Sequence, residues 1–366
     1  MKKHLKTLTY IVLSAAIVAL LAYMFKDTNW GEVWAAIKGL SATSLVAMSG
    51  LVLLSFVARV QRWTYIVRAV KPVSWRHLFS ATQIGFLANF TLPGRVGEIL
   101  RAVVLSRLGR LPFSQSFAMV ALDRVTDLVG LVAIVAVSVM AYSPSGIITI
   151  PARTFGKEIS IPAEWIHRGE LFAVAMLVVF GGVMAMLYIN QALVLKISDA
   201  CLGLVSKRLA VWANHFLTNF THGFSIFRSP VDMAKSLFFS LITWGVAIVF
   251  LIVILRAFGI QGPWYTPFIM QLLLAVALSA PGLPGFVGQF HVPLVAALVM
   301  LIPGIDDSRA KALAIVAHMM NLAWIIVIGV ACLYFEKLGF GELRRESEHD
   351  MAQADTGEPV QCGSVR

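Results

Sequence analysis

The chain has 366 residues, of which 58% are hydrophobic and 13% charged, against about 25% charged in an ordinary soluble domain. Its net charge of +11 raises the question of nucleic acid, but no zinc finger, RNA-binding signature or groove-reading basic helix accompanies it. Composition therefore excludes a soluble globular chain and points to an all-α polytopic membrane protein, whose Lys and Arg collect in cytoplasmic loops. The three cysteines, Cys201, Cys332 and Cys362, show neither metal-ligand spacing nor a paired framework.

In chain order, the first apolar run, 8–25, follows Lys2, Lys3 and Lys6. No small-residue cleavage site follows it, so it reads as an uncleaved span. Further spans are predicted at 45–67, 116–142, 171–190, 236–258 and 311–335. Two other apolar stretches are interrupted: 78–105 by Pro93-Gly94, and 265–302 by Pro281-Gly282 and Pro284-Gly285. Each arm has roughly 13 to 18 residues, short for a span of about 20. They read as re-entrant hairpins or pairs of tilted short helices, giving six spans, or eight if each hairpin counts as paired spans. Either version returns the chain to its starting side.

The basic residues orient this arrangement. With the N-terminus in the cytoplasm, the inside segments hold 19: Lys2, Lys3, Lys6, Arg59, Arg62, Arg68, Lys71, Arg76, Arg107, Arg110, Lys196, Lys207, Arg208, Arg228, Lys235, Lys337, Arg344, Arg345 and Arg366. The outside segments hold seven: Lys26, Lys38, Arg153, Lys157, Arg168, Arg309 and Lys311. Arg95, Arg101, Arg124 and Arg256 remain within the membrane, Arg256 near a span end where it snorkels. The split predicts both termini in the cytoplasm of a bacterial inner (plasma) membrane. The long loop 143–170, with Pro144, Pro151 and Pro162, falls outside. Segment 191–235 falls inside and is expected to hold amphipathic helix at the membrane surface. The tail, 336–366, is expected to be cytoplasmic and disordered. Trp30, Trp34, Trp63, Trp75, Trp165 and Trp264 fit interfacial belts.

The two broken stretches share a motif. Leu92-Pro93-Gly94-Arg95-Val96-Gly97-Glu98 and Leu283-Pro284-Gly285-Phe286-Val287-Gly288-Gln289 agree at five of seven positions, at a constant offset of 283 − 92 = 191. Chance likeness of Pro/Gly-rich segments is the plain alternative, but both copies sit between two spans. The topology enters the first hairpin from inside and the second from outside, so residues 1–142 and 171–335 are predicted to form an inverted repeat. Secondary transporters are often built this way, with interrupted segments in matching positions marking the binding site. Broken backbone at membrane depth survives only inside protein or beside a wet cavity. Pro93, Gly94, Gly97, Pro284, Gly285 and Gly288 are the predicted hinges, the glycines letting the hairpins approach closely.

Charge gathers at the first break. Arg95, Glu98 and Arg101 recur on one arc of a helix, and Asp123, Arg124 and Asp127 do so on the next span. Each such group alone costs about 2.5–3.5 kcal/mol or more at the bilayer centre, so the six pair or meet water. One reading is a closed ion-pair network that ties the hairpin to its neighbour. The other, favoured because intramembrane charges are usually functional, is a polar cavity for an anionic group. Arg95 falls near the start of the half-helix after Pro93-Gly94, where free N–H groups favour an anion, and Arg suits phosphate. The second half offers Gln289, His291, His318 and Asn321, with His318 matching Asp127 at the same offset. Either histidine is a proton-carrier candidate or a hydrogen-bonded packing residue. There is no phosphate-loop, HExxH, CxxC or GxSxG motif. Arg124 between Asp123 and Asp127 weakens a carboxylate metal site, and no metal or cofactor is expected.

The run Leu92-Pro93-Gly94-Arg95-Val96-Gly97-Glu98-Ile99-Leu100-Arg101, followed by Asp123-Arg124-Val125-Thr126-Asp127-Leu128, resembles the lysylphosphatidylglycerol synthase transmembrane-region family. That family is typified by P-x-R-x-G-E-x-x-R and then E-R-x-x-D, with Asp123 here in place of the usual Glu. The segment from Pro281 to His291 also looks like the family's, with Gln289 where many members carry a carboxylate. The resemblance implies a flippase-type domain like that of the multiple peptide resistance factor. The chain ends soon after its last span, so a stand-alone form without the aminoacyl-transfer domain is expected. The function expected is a lipid flippase or transporter for an anionic phospholipid or polyprenyl-phosphate-type lipid, with Arg95, Arg101 and Arg124 drawing the phosphate. A transferase acting on a lipid-linked substrate, or an accessory subunit in lipid-linked envelope synthesis, is the alternative. The expected partners are the lipid itself and a second copy of the chain or a lipid-synthesis enzyme, with no nucleic acid.

Overall fold

The computed structural model describes residues 29–92, 96–142, 229–279 and 284–339, with parts of 146–164 and isolated positions from 168 to 196. The predicted span 8–25, the hinge residues Pro93 and Gly94, Arg95, Trp165, most of 171–235 and the tail from 340 lie outside the described residues. The described residues are helical apart from one small strand pair. Helix α1 is Trp30–Lys38, α2 Ala42–Arg68, α3 Trp75–Thr91, α4 Gly97–Gly109 and α5 Phe113–Ala141. Then come strands β1, Ile147–Ile150, and β2, Ile159–Pro162, followed by α6, Pro230–Ala257, and α7, Thr266–Ser279. A 3-10 turn at Pro284–Phe286 leads to α8, His291–Leu301, and α9, Asp307–Phe335.

Four helices, α2, α5, α6 and α9, are long and apolar enough to cross a membrane, at 1.5 Å rise per residue. Between them lie shorter pairs, α3 with α4 and α7 with α8, separated where the Pro/Gly motifs stand. The order long, short, short, long thus occurs twice. Helix starts follow local chemistry. The Asn29 side chain caps α1, accepting from the Gly31 and Glu32 amides at 3.1 and 3.4 Å. Pro230 opens α6 at the position where a missing N–H costs nothing. Asp306 precedes α9 and accepts from the amides of Ser308 and Arg309 at 3.1 and 3.2 Å.

The described part of the loop between α5 and α6 contains a strand pair. β1 and β2 pair antiparallel, Ile147 opposite Pro162 and Ile150 opposite Ile159. The β-branched run Ile147-Ile148-Thr149-Ile150 suits a strand, and Pro162 sits at a strand end where its missing donor is harmless.

By backbone proximity the chain forms two compact units. One comprises Met1–Leu51, Ile134–Leu171 and Ala247–Leu322; the other comprises Val52–Ala133, Phe172–Val246 and Ala323–Arg366. In the second unit, a core centred on Trp63, Ile66, Leu78, Ile84, Leu100 and Leu105 joins α2, α3, α4 and α5. Trp63 is fully buried, so the interfacial role expected for it is wrong; Trp30, Trp34, Trp75 and Trp264 are exposed. Arg59 and Arg62 likewise lie inside α2 rather than in a loop.

The close approach of Gly97 is to the other arm of its own hairpin. A Cβ there would fall within 3 Å of the Gly85 carbonyl oxygen and the Asn89 side chain. The Gly97 amide donates to Asn89 Oδ1 at 2.9 Å, so the arms cross with almost no space between them. Small residues allow such crossings in membranes, where packing replaces the hydrophobic effect as the driving force. Gly97→Ala is expected to cost about 1–3 kcal/mol through overpacking. It should lower the thermal unfolding midpoint in detergent, whereas Gly50→Ala, with open space around it, should not.

Candidate functional site: an arginine–carboxylate network in the second unit

Three helices bring charge to one place. α2 supplies Arg59 and Arg62 from successive turns, α4 supplies Glu98 and Arg101, and α5 supplies Asp123, Arg124 and Asp127. At the centre, Asp123 accepts from Arg62 Nε through one oxygen at 2.8 Å and from Arg101 Nη1 through the other at 2.7 Å. Arg62 also donates to Asp127, bridging two carboxylates one helical turn apart. The Arg101 guanidinium lies 3.7 Å from the centre of the Trp63 ring, a cation–π contact in a dry setting. Trp63 in turn donates to the Met119 carbonyl at 3.3 Å. This layer is sealed: the side chains of Arg62, Asp123 and Arg101 are 1%, 2% and 3% exposed.

A second layer lies at the rim. Arg124 pairs with Glu98 and stands 3.7 Å from Asp127. Arg59 Nη1 stands 4.0 Å from Asp127, with its guanidinium 5.9 Å from the Phe86 ring centre. Here exposure is substantial: 29% for Arg59, 39% for Arg124 and 28% for Glu98. Trp244 of α6 holds Asp127 from another side, donating within reach of both its carbonyl and its Oδ1, at 3.1 and 3.0 Å. Gly130 makes room for that indole, since a Cβ there would collide with the ring.

Four arginines and three carboxylates leave a formal charge of 4 − 3 = +1. The structure thus joins five of the six charges expected to cluster. It adds Arg59 and Arg62, whose signal was present as two cations three residues apart inside an apolar span. It also adds Trp63 and Trp244, for which the sequence holds no comparable mark. Both Asp123 and Asp127 face arginines, and among the described residues no group of three His, Cys, Asp or Glu is placed to hold a metal ion.

The candidates of the second motif belong to the first unit and form a cluster of their own. His291 Nδ1 accepts from the Gly288 amide at 3.3 Å, which leaves the ring proton on Nε2. His318, fully buried, meets His291 edge-on at 4.8 Å between ring centres and stacks on Phe290 at 4.9 Å. It is also hydrogen-bonded to the Gly285 backbone. Gln289 donates to the Ala277 carbonyl at 3.2 Å, tying the start of α8 to α7. Asn321 donates to the Ala317 carbonyl within its own helix. Gly285 and Gly288 both take positive φ, +76° and +82°, which shapes the turn between the arms.

The family model of the lysylphosphatidylglycerol synthase transmembrane region matches residues 9–329. The chain belongs to this lysylphosphatidylglycerol synthase transmembrane-region family. The match covers every named residue of the network and of the histidine cluster, and with the apolar helices it identifies a multi-pass membrane protein of phospholipid-related function. No curated protein matches the chain significantly.

The two layers of this family member's network differ in what a substitution does. Asp123→Asn leaves two buried arginines facing a neutral amide and is expected to destabilise by about 3–5 kcal/mol, the usual cost of breaking a buried pair. Arg124→Gln, at the rim, should cost about 1 kcal/mol or less. Thermal unfolding of the purified variants in one detergent checks the order.

Proposed function

We propose that this chain is a lipid transporter that moves an anionic phospholipid or polyprenyl-phosphate-type lipid across the bacterial inner membrane. The observation that carries the reading is the rim of the network: Arg59 and Arg124 are partly exposed within apolar helices, in a cluster of net positive charge. Each has a carboxylate beside it at rest and stays open to an arriving anion, and the arginine fork matches a phosphate. The sealed layer beneath serves as scaffold, so Arg101 and Asp123 hold the site while Arg59 and Arg124 meet the headgroup. Arg95, from the adjoining motif, is assigned to the same phosphate.

The two Pro/Gly-broken hairpins act as the moving parts of an inverted repeat, with Gly285 and Gly288 as hinges of the second. Rocking of one repeat against the other alternates access to the two sides of the membrane, with both termini in the cytoplasm. His291 and His318, in the other unit, are the proton-carrier candidates.

The test is translocation of a fluorescent phosphatidylglycerol in reconstituted vesicles, followed by a membrane-impermeant quencher. The parent should move the lipid, and the Arg59→Gln/Arg124→Gln double variant should do so at least about tenfold more slowly, a loss of roughly 1.4 kcal/mol or more. Arg256→Gln, outside the network, should match the parent. Equal rates in parent and double variant would overturn the reading, and product formation by the purified protein alone would favour a lipid-linked transferase.

A further inference from the structure

One carboxylate of the network uses a single oxygen. Glu98 Oε1 accepts from Arg124 and, at 3.5 Å, from Asn89 Nδ2. Its Oε2 is buried and has no hydrogen-bond partner. One turn further along α4, Arg101 spends Nη1 on Asp123, while its Nε and Nη2 are buried and have no partner either. Residues three apart on a helix are neighbours, with Cβ atoms about 5–6 Å apart. An idle acceptor and two idle donors therefore stand within a side-chain rotation of each other. Leaving them so is costly in a buried setting, where an unmade hydrogen bond to a charged group forfeits more than its mean worth.

We infer that Glu98 is a displaceable counter-ion: an anionic phosphate group takes Arg124 from it, and Glu98 swings to the idle donors of Arg101. This rests on the transporter reading above and names how its site admits charge. In the resting state Arg124 is masked by Glu98, so the rim does not hold a bare cation in the membrane. On arrival the phosphate gains the bidentate face of Arg124, and the carboxylate it evicts gains the Nε and Nη2 hydrogens of Arg101. Every charge stays paired through the exchange, and the entering group is selected for being an anion able to compete with a carboxylate. Departure reverses the steps, with Glu98 reclaiming Arg124 and driving the headgroup off. The sealed layer is what allows this: Asp123 keeps its two bonds in both states, so the exchange moves one side chain and leaves the helices in place.

The experiment titrates spin-labelled phosphatidylglycerol into the full chain in neutral detergent, with inorganic phosphate as competitor. Arg124→Gln should abolish the specific binding. Glu98→Gln removes the competitor and should tighten binding roughly twofold to fivefold, the worth of a partly exposed ion pair. In the Arg124→Gln background, Glu98→Gln should change nothing. Arg101→Lys keeps a cation for Asp123 and removes the guanidinium Nε and Nη2; it should weaken binding more in the parent than in Glu98→Gln. If Arg124→Gln binds as the parent does, the site reading itself fails. If Arg124→Gln loses binding but Glu98→Gln binds equally or more weakly, the exchange alone is overturned, because Glu98 then merely positions Arg124. Equal loss from Arg101→Lys in both backgrounds overturns the hand-over to Arg101. Displacement by millimolar inorganic phosphate assigns the site to a free anion, and resistance to it assigns the site to the lipid headgroup. Unfolding midpoints of all variants, measured in the same detergent, separate lost binding from lost fold.

Discussion

One carboxylate organises the charged half of this protein. Asp123 receives Arg62 on one oxygen and Arg101 on the other, and so fastens α2 and α4 to α5 through a single buried group. In a hydrocarbon surround none of the three ions is tolerable alone. Together, with Trp63 packed on the Arg101 guanidinium, they satisfy one another and the position of every neighbouring side chain follows. The tight crossing of Gly97 over the Gly85 carbonyl brings α4 close enough to α3 for Arg101 to be presented at this depth.

From that fixed point the network divides by accessibility. The same helix turns that bury Arg62, Arg101 and Asp123 carry Arg59, Glu98 and Arg124 to the rim. Burial decides role here more than residue type does. A buried arginine with its carboxylate is a fastener, since removing either leaves a stranded charge. On the proposed function, a partly exposed arginine of the rim is open to a ligand, and its neighbouring carboxylate competes for it. The histidine cluster of the other unit is of a different kind. Its members are fixed by the Gly285 and Gly288 backbone and by ring contacts rather than by opposite charges.

Much of the fold was legible because the governing signals are local. Apolar runs give these long helices to within six residues at either end, as 236–258 against Pro230–Ala257 and 116–142 against Phe113–Ala141 show. Pro and Gly mark the breaks between short helices, and the i, i+3 and i, i+4 spacings place Glu98 with Arg101 and Asp123 with Asp127. What was missed depends on distant partners. Arg59 and Arg62 read as loop charges near the end of a span until α5 supplies their carboxylates. Trp63 reads as a belt residue until Arg101 lies on its face. The strands at Ile147–Ile150 and Ile159–Pro162 were hidden by the prolines around them, and α1 by its shortness, although Asn29 is a fitting cap.

The central claim is that the rim arginines hold an anionic lipid. Native mass spectrometry of the protein extracted gently from its own membrane, parent beside Arg124→Gln, tests it most directly. A specific phosphate-bearing lipid should be retained by the parent and lost from the variant, with both equally folded. Equal retention by the two, or no retained lipid in the parent, would contradict it and leave the network as a fastener alone.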